Sequence, residues 1–301
     1  MTKASLLQVL RRMIEMSHPN LEWEGPILDN HFHLDRSHRC LDAALDFQRS
    51  GGTHLVLVHK PDFAKLPLDR KGLKSSYQET ISIAEEVREK IGLNVRVILG
   101  PHPASWVHQR EELGSNLATE LYWDSIDLAV ELCNEGLSVG IGEVGRPHWE
   151  VDDDVWQEAN VILEETMALA KKQNLPLQLH VEGAGASTYA DLSCMAERVG
   201  LNPMKLIRHH APPQVDAATC SGIIPSVVVG KGSVEVLIET VSSSEHGFVM
   251  ETDYMDDPRR PGAVLGPKTV PKRTNALLRA GLDSEHLWNS HQDLPNSIYG
   301  D

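Results

Sequence analysis

The chain has 301 residues, of which 41% are hydrophobic and 24% are charged, and its formal net charge is −15. These values are typical of a soluble globular protein and exclude a disordered chain, a collagen and a coiled coil. The acidic balance excludes a protein that coats nucleic acid through bulk charge, so phosphate recognition would need a local patch. No stretch approaches the roughly 18 consecutive apolar residues of a transmembrane helix, and we expect no membrane partner.

The cysteines predict a reducing compartment. Cys40, Cys133, Cys194 and Cys220 are widely spaced and form no CxxC pair, which argues against a disulfide framework and against a thiolate zinc site. The N-terminal segment has helical periodicity but lacks the continuous apolar run of a signal peptide. We therefore expect a cytoplasmic protein, and no pattern in the sequence requires an obligate protein partner.

Eight short apolar runs, each followed by or ending in polar residues, are predicted to be buried parallel strands. They are rich in Val, Ile and Leu and are too short for helices. These runs are residues 26–33, 54–60, 96–102, 138–143, 176–182, 205–210, 223–231 and 248–253.

Helical segments are predicted between and after the strands, at residues 41–49, 77–90, 125–134, 155–173, 190–199, 215–220, 234–241 and 273–282. Eight strand–helix alternations in about 250 residues predict an α/β fold of the (β/α)8 TIM-barrel type, since a doubly wound sheet usually has fewer units. No linker divides the chain. We expect one domain over residues 26–301, preceded by an N-terminal helical extension over residues 1–25.

Polar residues collect at the carboxyl ends of the predicted strands, where the active sites of such barrels lie. His31 and His33 close the first strand, and both side chains point to one place because residues i and i+2 share a face. Glu143, His180 and Asp253 close strands four, five and eight. A His-x-His pair alone is a weak signal, but polar groups that converge without partners are costly, and a bound metal would satisfy all of them.

Strand six ends in two alternative ligands, His209 and His210. If His210 faced the barrel interior, Arg208 would face inward too and bury its charge. If His209 faced inward, Ile207 would accompany it. We therefore favour His209 as the ligand.

The same alternation predicts that Ile141 faces inward with Glu143, and Glu251 with Asp253. Four histidines with two carboxylates are too many ligands for one tetrahedral zinc ion. They suit two divalent ions that share a carboxylate and a hydroxide, and zinc, manganese or magnesium are the candidates. Without thiolates or a Gly-rich nucleotide loop, the predicted chemistry is hydrolysis by a metal-activated hydroxide.

The motifs DNHFHLD, GPHP, GEVG, LHVE, HHAPP and ETD resemble, in order and spacing, those of the TatD-type metal-dependent hydrolases, a branch of the amidohydrolase superfamily. The sequences GGTHLVLV, GEVGRPH and residues 251–271 are most similar to the archaeal branch. The resemblance runs from about residue 26 to the end, including Asn296 to Gly300 as N-x-x-Y-G. The chain departs from better-known members after strand six, where they carry His-Cys-Phe, and after strand eight, where it has a basic, Pro-rich loop.

The resemblance implies a two-metal site in which Glu143 serves both ions. One ion would be held by His31, His33, Glu143 and Asp253, and the other by Glu143, His180 and His209. Asp253 would also act as general base and acid. The resemblance further implies phosphodiester hydrolysis with DNA as the partner, because better-known relatives are deoxyribonucleases.

Four other side chains are candidates for substrate binding: His102, Arg146, Arg259 and Arg260. The last two belong to a basic cluster after Asp253 that could hold phosphates, and the alternative is a solvated loop that balances nearby aspartates. Arg146 lies three residues after Glu143. His102 is predicted either to contact substrate or to cap a loop.

Two other functions stay open at this point. The acidic balance and the 5% aromatic content favour a small amide, lactone or phosphoester as substrate. A non-catalytic metal-binding protein is the other alternative, although a scaffold has no need to keep Asp253 beside the ligands.

Overall fold

A computed structural model describes residues 21–257 and 265–300. Eight parallel strands follow one another around the sheet in chain order. They are β1 (Leu28–Phe32), β2 (His54–Val58), β3 (Asn94–Leu99), β4 (Gly140–Gly145), β5 (Leu177–His180), β6 (Leu206–Ala211), β7 (Ile224–Val228) and β8 (Val249–Glu251).

Helices lie between the strands and after the last one. They are α1 (Leu41–Arg49), α2 (Arg70–Ile91), α3 (Pro103–Leu113), α4 (Ser115–Asn134), α5 (Asp153–Gln173), α6 (Ala186–Val199), α7 (Ala217–Cys220), α8 (Ser233–Thr240), α9 (Thr269–Arg279), α10 (Ser284–Trp288) and α11 (Leu294–Tyr299). Short 3₁₀ turns occupy Pro203–Lys205 and Val241–Ser243, and a π-helical segment, Asn289–Asp293, joins α10 to α11.

The predicted (β/α)8 barrel is confirmed, with local differences. The connection after β3 contains α3, which was not predicted, ahead of a longer α4. Residues 21–25 are not helical, and the rest of the expected N-terminal extension, residues 1–20, lies outside the described residues. The barrel closes where Phe32 bridges Tyr254 in parallel and the His33 N–H donates to the Tyr254 carbonyl at 2.8 Å.

Two apolar clusters hold the barrel together. The outer cluster lies between strands and helices. The inner cluster fills the barrel near the strand starts, with Leu28, Ile207 and Val249 packed against Leu294 and Ile298 of α11. The C-terminal helix therefore closes the amino-terminal end of the barrel, and the opposite end is free for chemistry.

Three strands have register irregularities in the segments that carry candidate ligands. They fall between Asp29 and Phe32, between Ile141 and Val144, and between Arg208 and Ala211. A bulge adds a residue to one strand and re-aims the side chains beside it. For this reason the prediction that Ile141 faces inward with Glu143 was wrong: Ile141 packs in the outer cluster.

No helix in residues 21–257 and 265–300 is long and apolar enough to cross a membrane.

The carboxylate of Asp256, only 1% exposed, ties the loop after β1 to the chain after β8. It accepts hydrogen bonds from the backbone N–H groups of Asp35 at 3.2 Å, Arg39 at 3.2 Å and Cys40 at 2.6 Å, and from the Tyr254 hydroxyl at 3.0 Å. An amide in its place would lose the charge and turn one acceptor into a donor that faces other donors.

We therefore expect Asp256→Asn to lower the free energy of unfolding by about 1–3 kcal/mol, measured by urea denaturation. Asp127→Asn makes the same chemical change at an exposed position of α4 and should shift the free energy by less than about 0.5 kcal/mol. Equal effects of the two substitutions would show that the buried carboxylate has no special role.

His291 links the π-helical segment to β1 in a fully buried position. Its Nδ1 accepts the Leu28 N–H at 3.1 Å, and its Nε2 lies 2.9 Å from the Thr274 hydroxyl. Burial lowers the pKa of His291 to about 3, whereas an unfolded histidine titrates near ~6.5. Its stabilising contribution is thus fully present above pH ~6.5 and is lost as pH falls from there towards the folded-state value.

Between pH 6.5 and pH 5 this loss amounts to about 2 kcal/mol, at about 1.4 kcal/mol per pH unit. We expect His291→Asn, whose amide oxygen can replace the Nδ1 acceptor, to be more destabilising at pH 7 than at pH 5 by about that amount. Urea titrations at both pH values measure the difference. A destabilisation that is the same at both would contradict the assignment.

Candidate metal centre

The carboxylate of Glu143, in β4, lies at the centre of the candidate site. Its Oε1 is 2.5 Å from Nε2 of His31, 3.4 Å from Nε2 of His33 and 3.6 Å from Nε2 of His209. The Nε2 atoms of His31 and His33 are 3.1 Å apart, as the alternation in β1 predicted. All four side chains are buried.

The other oxygen of Glu143 faces a second pair of imidazoles. Oε2 lies 2.9 Å from Nε2 of His102 and 3.2 Å from Nδ1 of His180. His180 ends β5, and His102 follows β3 by three residues. The His180 Nδ1 is buried and has no hydrogen-bond partner, so its lone pair is available to a cation beside Oε2.

Asp253 lies at the mouth of the site, two residues after β8. Its Oδ1 is 3.9 Å from Nε2 of His33, and its Oδ2 is 3.8 Å from Nε2 of His210. Asp253 has φ of 50°, a region that non-glycine residues adopt rarely and that aspartate tolerates better than most. This backbone conformation directs the carboxylate to the site while the side chain stays 13% exposed.

The prediction chose His209 over His210, and the structure places His209 inward while the His210 side chain is 57% exposed. Arg208 is nevertheless buried, on the outer face of β6. There its guanidinium lies over the Tyr189 ring at 4.4 Å and donates to the Glu182 carbonyl at 3.1 Å. These contacts replace part of the water around the guanidinium, whose Nε is buried without a hydrogen-bond partner.

A layer of polar groups beneath the site orients the histidines. Nδ1 of His31 lies 2.9 Å from Oε1 of Gln178, whose Nε2 donates to the Asn30 carbonyl at 3.0 Å and to the Tyr299 hydroxyl at 2.9 Å. Nδ1 of His33 lies 2.9 Å from the Val58 carbonyl. Partners of this kind fix ring orientation and the position of the ring proton.

Glu251 supports the β6 side of the site. Its Oε1 lies 2.8 Å from Nδ1 of His209 and accepts the His210 N–H at 2.9 Å, and its Oε2 accepts the Ser226 hydroxyl. Glu251 faces inward below Asp253, as the alternation in β8 predicted. One buried carboxylate thus fixes both residues of the His-His pair.

The charge state of the cluster suits cation binding. Burial lowers the pKa of His31 and of His102 to about 4 each, and it lowers the pKa of His209 well below its ordinary value. Burial alone would raise the pKa of Glu143, but His31, His209 and His102 together hold it well below its usual range. At neutral pH the site therefore combines an ionised Glu143 with neutral His31, His102 and His209, which are the protonation states that metal ligands need.

Three groups of side chains have ligand atoms within 4.8 Å of one another, the spacing that a shared ion requires. They are His31 with His33, Glu143 and Asp253; His31 with His209 and Glu251; and His102 with Glu143 and His180. Imidazole and carboxylate ligands of this kind fit zinc and other divalent ions. The cluster can therefore hold metal ions.

The structure does not place Arg146 in the pocket as a substrate contact. Its buried guanidinium binds Glu182 at 2.7 Å, Asp191 at 2.5 Å and Asn160 at 2.7 Å, and it lies 4.7 Å from the Trp156 ring. These partners occupy the donors that a substrate phosphate would need, so the prediction for Arg146 is replaced by a structural role. Arg259 and Arg260 lie outside the described residues.

Three residues near the mouth of the site were not predicted from the sequence to be site residues. His148 has its Nδ1 2.7 Å from Nε2 of His180. Phe63 and Trp149 are 45% and 38% exposed, and their rings lie 5.6 Å from His102 and 5.0 Å from His148. All three belong to loops without periodicity, so only the motif GEVGRPH could have drawn attention to His148.

Comparison with known proteins agrees with this geometry. The sequence model of the family described as "TatD related DNase" matches residues 28–300. The uncharacterized protein MJ1127 of Methanocaldococcus jannaschii is 34% identical over 278 residues, which cover 91% of this chain and 95% of that protein. This similarity confirms the predicted relation to the archaeal branch.

Two solved structures show the same fold at low sequence identity. YjjV, a TatD homolog from Escherichia coli K12, has a TM-score of 0.63 at 16% identity and covers 91% of this chain and 98% of its own. A mutant PTE-like lactonase of Deinococcus radiodurans has a TM-score of 0.60 at 12% identity, with coverages of 91% and 95%. By the family match and the 34% identity to MJ1127, the chain belongs to the TatD-related DNase family.

Proposed function

We propose that this protein is a divalent-metal-dependent phosphodiesterase that acts on DNA through a two-metal site. The observation that carries the proposal is the position of Glu143. One of its oxygens faces His31, His33 and His209, while the other faces His102 and His180. A carboxylate with a separate imidazole group at each oxygen suits two cations that share it.

We assign the residues to the two ions as the family resemblance implies. His31, His33, Glu143 and Asp253 would hold one ion. Glu143 and His180 would hold the other, together with His209 as the third ligand. Zinc is the first candidate, and manganese or magnesium are alternatives, since all accept imidazole or carboxylate ligands. Bound ions would supply Lewis acidity and a water acidic enough to attack at neutral pH.

Asp253 is the residue proposed to move protons. Its carboxylate lies at the mouth, near His33 on one side and His210 on the other, and it is partly exposed where a substrate would enter. From there it can accept a proton from the attacking water and return it to the leaving group. The family match supports a phosphodiester as the substrate.

A second candidate function is hydrolysis of a small amide, lactone or phosphoester. The shared fold with a PTE-like lactonase supports this candidate, and the net charge of −15 would disfavour a polyanionic substrate. Incubation of the metal-loaded protein with single-stranded DNA and with a panel of small esters, lactones and amides separates the two. Turnover on the panel well above that on DNA would select the small-substrate function, and turnover on neither would favour a non-catalytic metal-binding protein.

We expect Glu143→Gln to remove at least one of two bound ions, because a neutral amide cannot serve two cations. Metal analysis after dialysis, with circular dichroism as the folding control, measures the loss. Two ions retained per chain in this variant would contradict the shared-carboxylate assignment.

We expect Asp253→Asn to lower turnover by about 10²- to 10⁴-fold, the usual contribution of a general acid–base group. Steady-state assays measure this decrease, with whichever substrate the protein turns over in the comparison of single-stranded DNA with the small-molecule panel. Asp127→Asn, on the exposed face of α4, is the matched control and should leave turnover unchanged. Cleavage that survives Asp253→Asn would remove this residue from the proposed chemistry.

A further inference from the structure

Two imidazoles compete for the same place beside His180 and Glu143. His102 lies within ligand spacing of both, whereas His209 lies on the Oε1 side of Glu143 at 3.6 Å. Distance alone therefore favours His102 as the third ligand of the second ion. The contacts of Nδ1 on the far side of each ring favour His209 instead.

A neutral imidazole has one N–H and one lone pair, and they sit on different nitrogens. A ring whose Nδ1 donates to an oxygen presents its lone pair at Nε2, as a metal ligand needs. A ring whose Nδ1 accepts an N–H must carry its own proton at Nε2. Such a ring donates from Nε2 and cannot bind a metal there.

His31 and His33 follow the ligand pattern. Nδ1 of His31 faces Oε1 of Gln178, and Nδ1 of His33 faces the Val58 carbonyl, each at 2.9 Å. The Gln178 amide is held in this orientation because its Nε2 donates to the Asn30 carbonyl. Both rings therefore present an Nε2 lone pair to Glu143 and the space beside it.

His209 has a carboxylate beside its Nδ1 instead of a hydrogen-bonded partner. Its Nδ1 lies 2.8 Å from an oxygen of Glu251 without hydrogen-bond geometry, and the charge of that carboxylate favours the proton on Nδ1. Its Nε2 lone pair then faces the site. His209 is thus prepared as a ligand although it is the more distant of the two competing rings.

His102 has the reverse arrangement. Its Nδ1 accepts the backbone N–H of Ala104 at 3.0 Å, as the cap at the start of α3. The ring proton must therefore lie on Nε2, which is 2.9 Å from Oε2 of Glu143. The contact is a hydrogen bond from His102 to the carboxylate.

We propose that His102 is a positioning residue and not a metal ligand: it donates a fixed N–H to Oε2 of Glu143 and so holds the shared carboxylate with one oxygen towards each ion. The proposal rests on the two-metal function proposed above. It uses the capping alternative that the sequence offered for His102, since the cap on α3 is what fixes the donor. It also replaces the predicted substrate contact with a contact to the metal-bridging carboxylate.

Loss of a residue that orients a ligand typically weakens metal binding by about 10- to 100-fold without removing the ligand itself. Two substitutions separate the donor from the cap. His102→Asn keeps an oxygen that can cap α3, since asparagine is among the best capping residues, but its side chain is too short to reach Glu143. His102→Gln places an amide N–H near the position of Nε2.

The experiment is a Co²⁺ titration of the metal-free full chain followed by visible absorption, with circular dichroism as the folding control. We expect both variants to bind two ions at saturation with the absorption spectrum of the unchanged protein. The second dissociation constant should rise about 10- to 100-fold in His102→Asn and return towards the unchanged value in His102→Gln. His180→Asn, which removes a ligand, should change the saturated spectrum.

Three results would overturn the proposal. One is a saturated spectrum that changes in both His102 variants as it does in His180→Asn. Another is an unchanged second dissociation constant in His102→Asn, and the third is no recovery in His102→Gln. Failure of the proposed function looks different, because the unchanged protein would then bind fewer than two ions or bind two without hydrolysing any substrate.

Discussion

At the centre of the candidate site is the buried carboxylate of Glu143, and within residues 21–257 and 265–300 no lysine or arginine forms an ion pair with it. Among the imidazoles around Glu143, burial lowers the pKa of His31, His102 and His209 and keeps these three rings neutral. A buried anion usually needs an arginine, a lysine or a metal, and the arginines nearest in sequence are directed elsewhere. Arg146 binds Glu182 and Asp191 in the outer layer, so it does not neutralise Glu143.

Register shifts in three strands direct these groups to the same site. Side chains of a regular strand alternate between its two faces. An apolar residue in the barrel floor and a ligand at the mouth can therefore share the inner face only when an even number of positions separates them. In β1, Leu28 packs inside the barrel, and the register shift before Phe32 lets His31 and His33 face the same interior. The shifts in β4 and β6 do the same for Glu143 and His209. Local breaks in the hydrogen-bond ladder are therefore what turns a packed barrel into a binding site.

The barrel could be predicted from the sequence because the strand–helix pattern occurs eight times along the chain. Eight Val- and Ile-rich runs alternate with helical segments, and an error in one boundary does not change the topology. The prediction missed α3 because Pro103 follows directly on the strand-end histidine and suggests a turn, and because the helix has no clear apolar face. The prediction assigned Ile141 to the wrong face because strict alternation assumes a strand without bulges.

The candidate ligands could be predicted because their positions depend on the topology of the barrel and not on exact strand boundaries. Carboxyl ends of parallel strands meet at one edge whatever the details of register, so His31, Glu143, His180 and Asp253 converge even where single strand ends were misplaced by two residues. Arg146 shows the limit of that argument. It lies only three residues after Glu143, and the sequence therefore predicted that it contacts substrate. Its guanidinium instead points towards the helices, where it binds Glu182, Asp191 and Asn160.

The C-terminal N-x-x-Y-G motif acquires a physical meaning from the same network. Tyr299, in α11, donates its hydroxyl to Oδ1 of Asn30 at 3.1 Å and accepts from Gln178 at 2.9 Å. Gln178 in turn fixes the ring of His31. Asn296 binds Arg96 at 2.7 Å, which holds α11 against the strand starts. The last helix thus closes the barrel with its apolar side chains and, through one tyrosine, reaches the layer that sets a ligand's tautomer. The packing of α11 against the amino-terminal end of the barrel and the geometry of the candidate metal centre therefore depend on each other, because Tyr299 belongs to both.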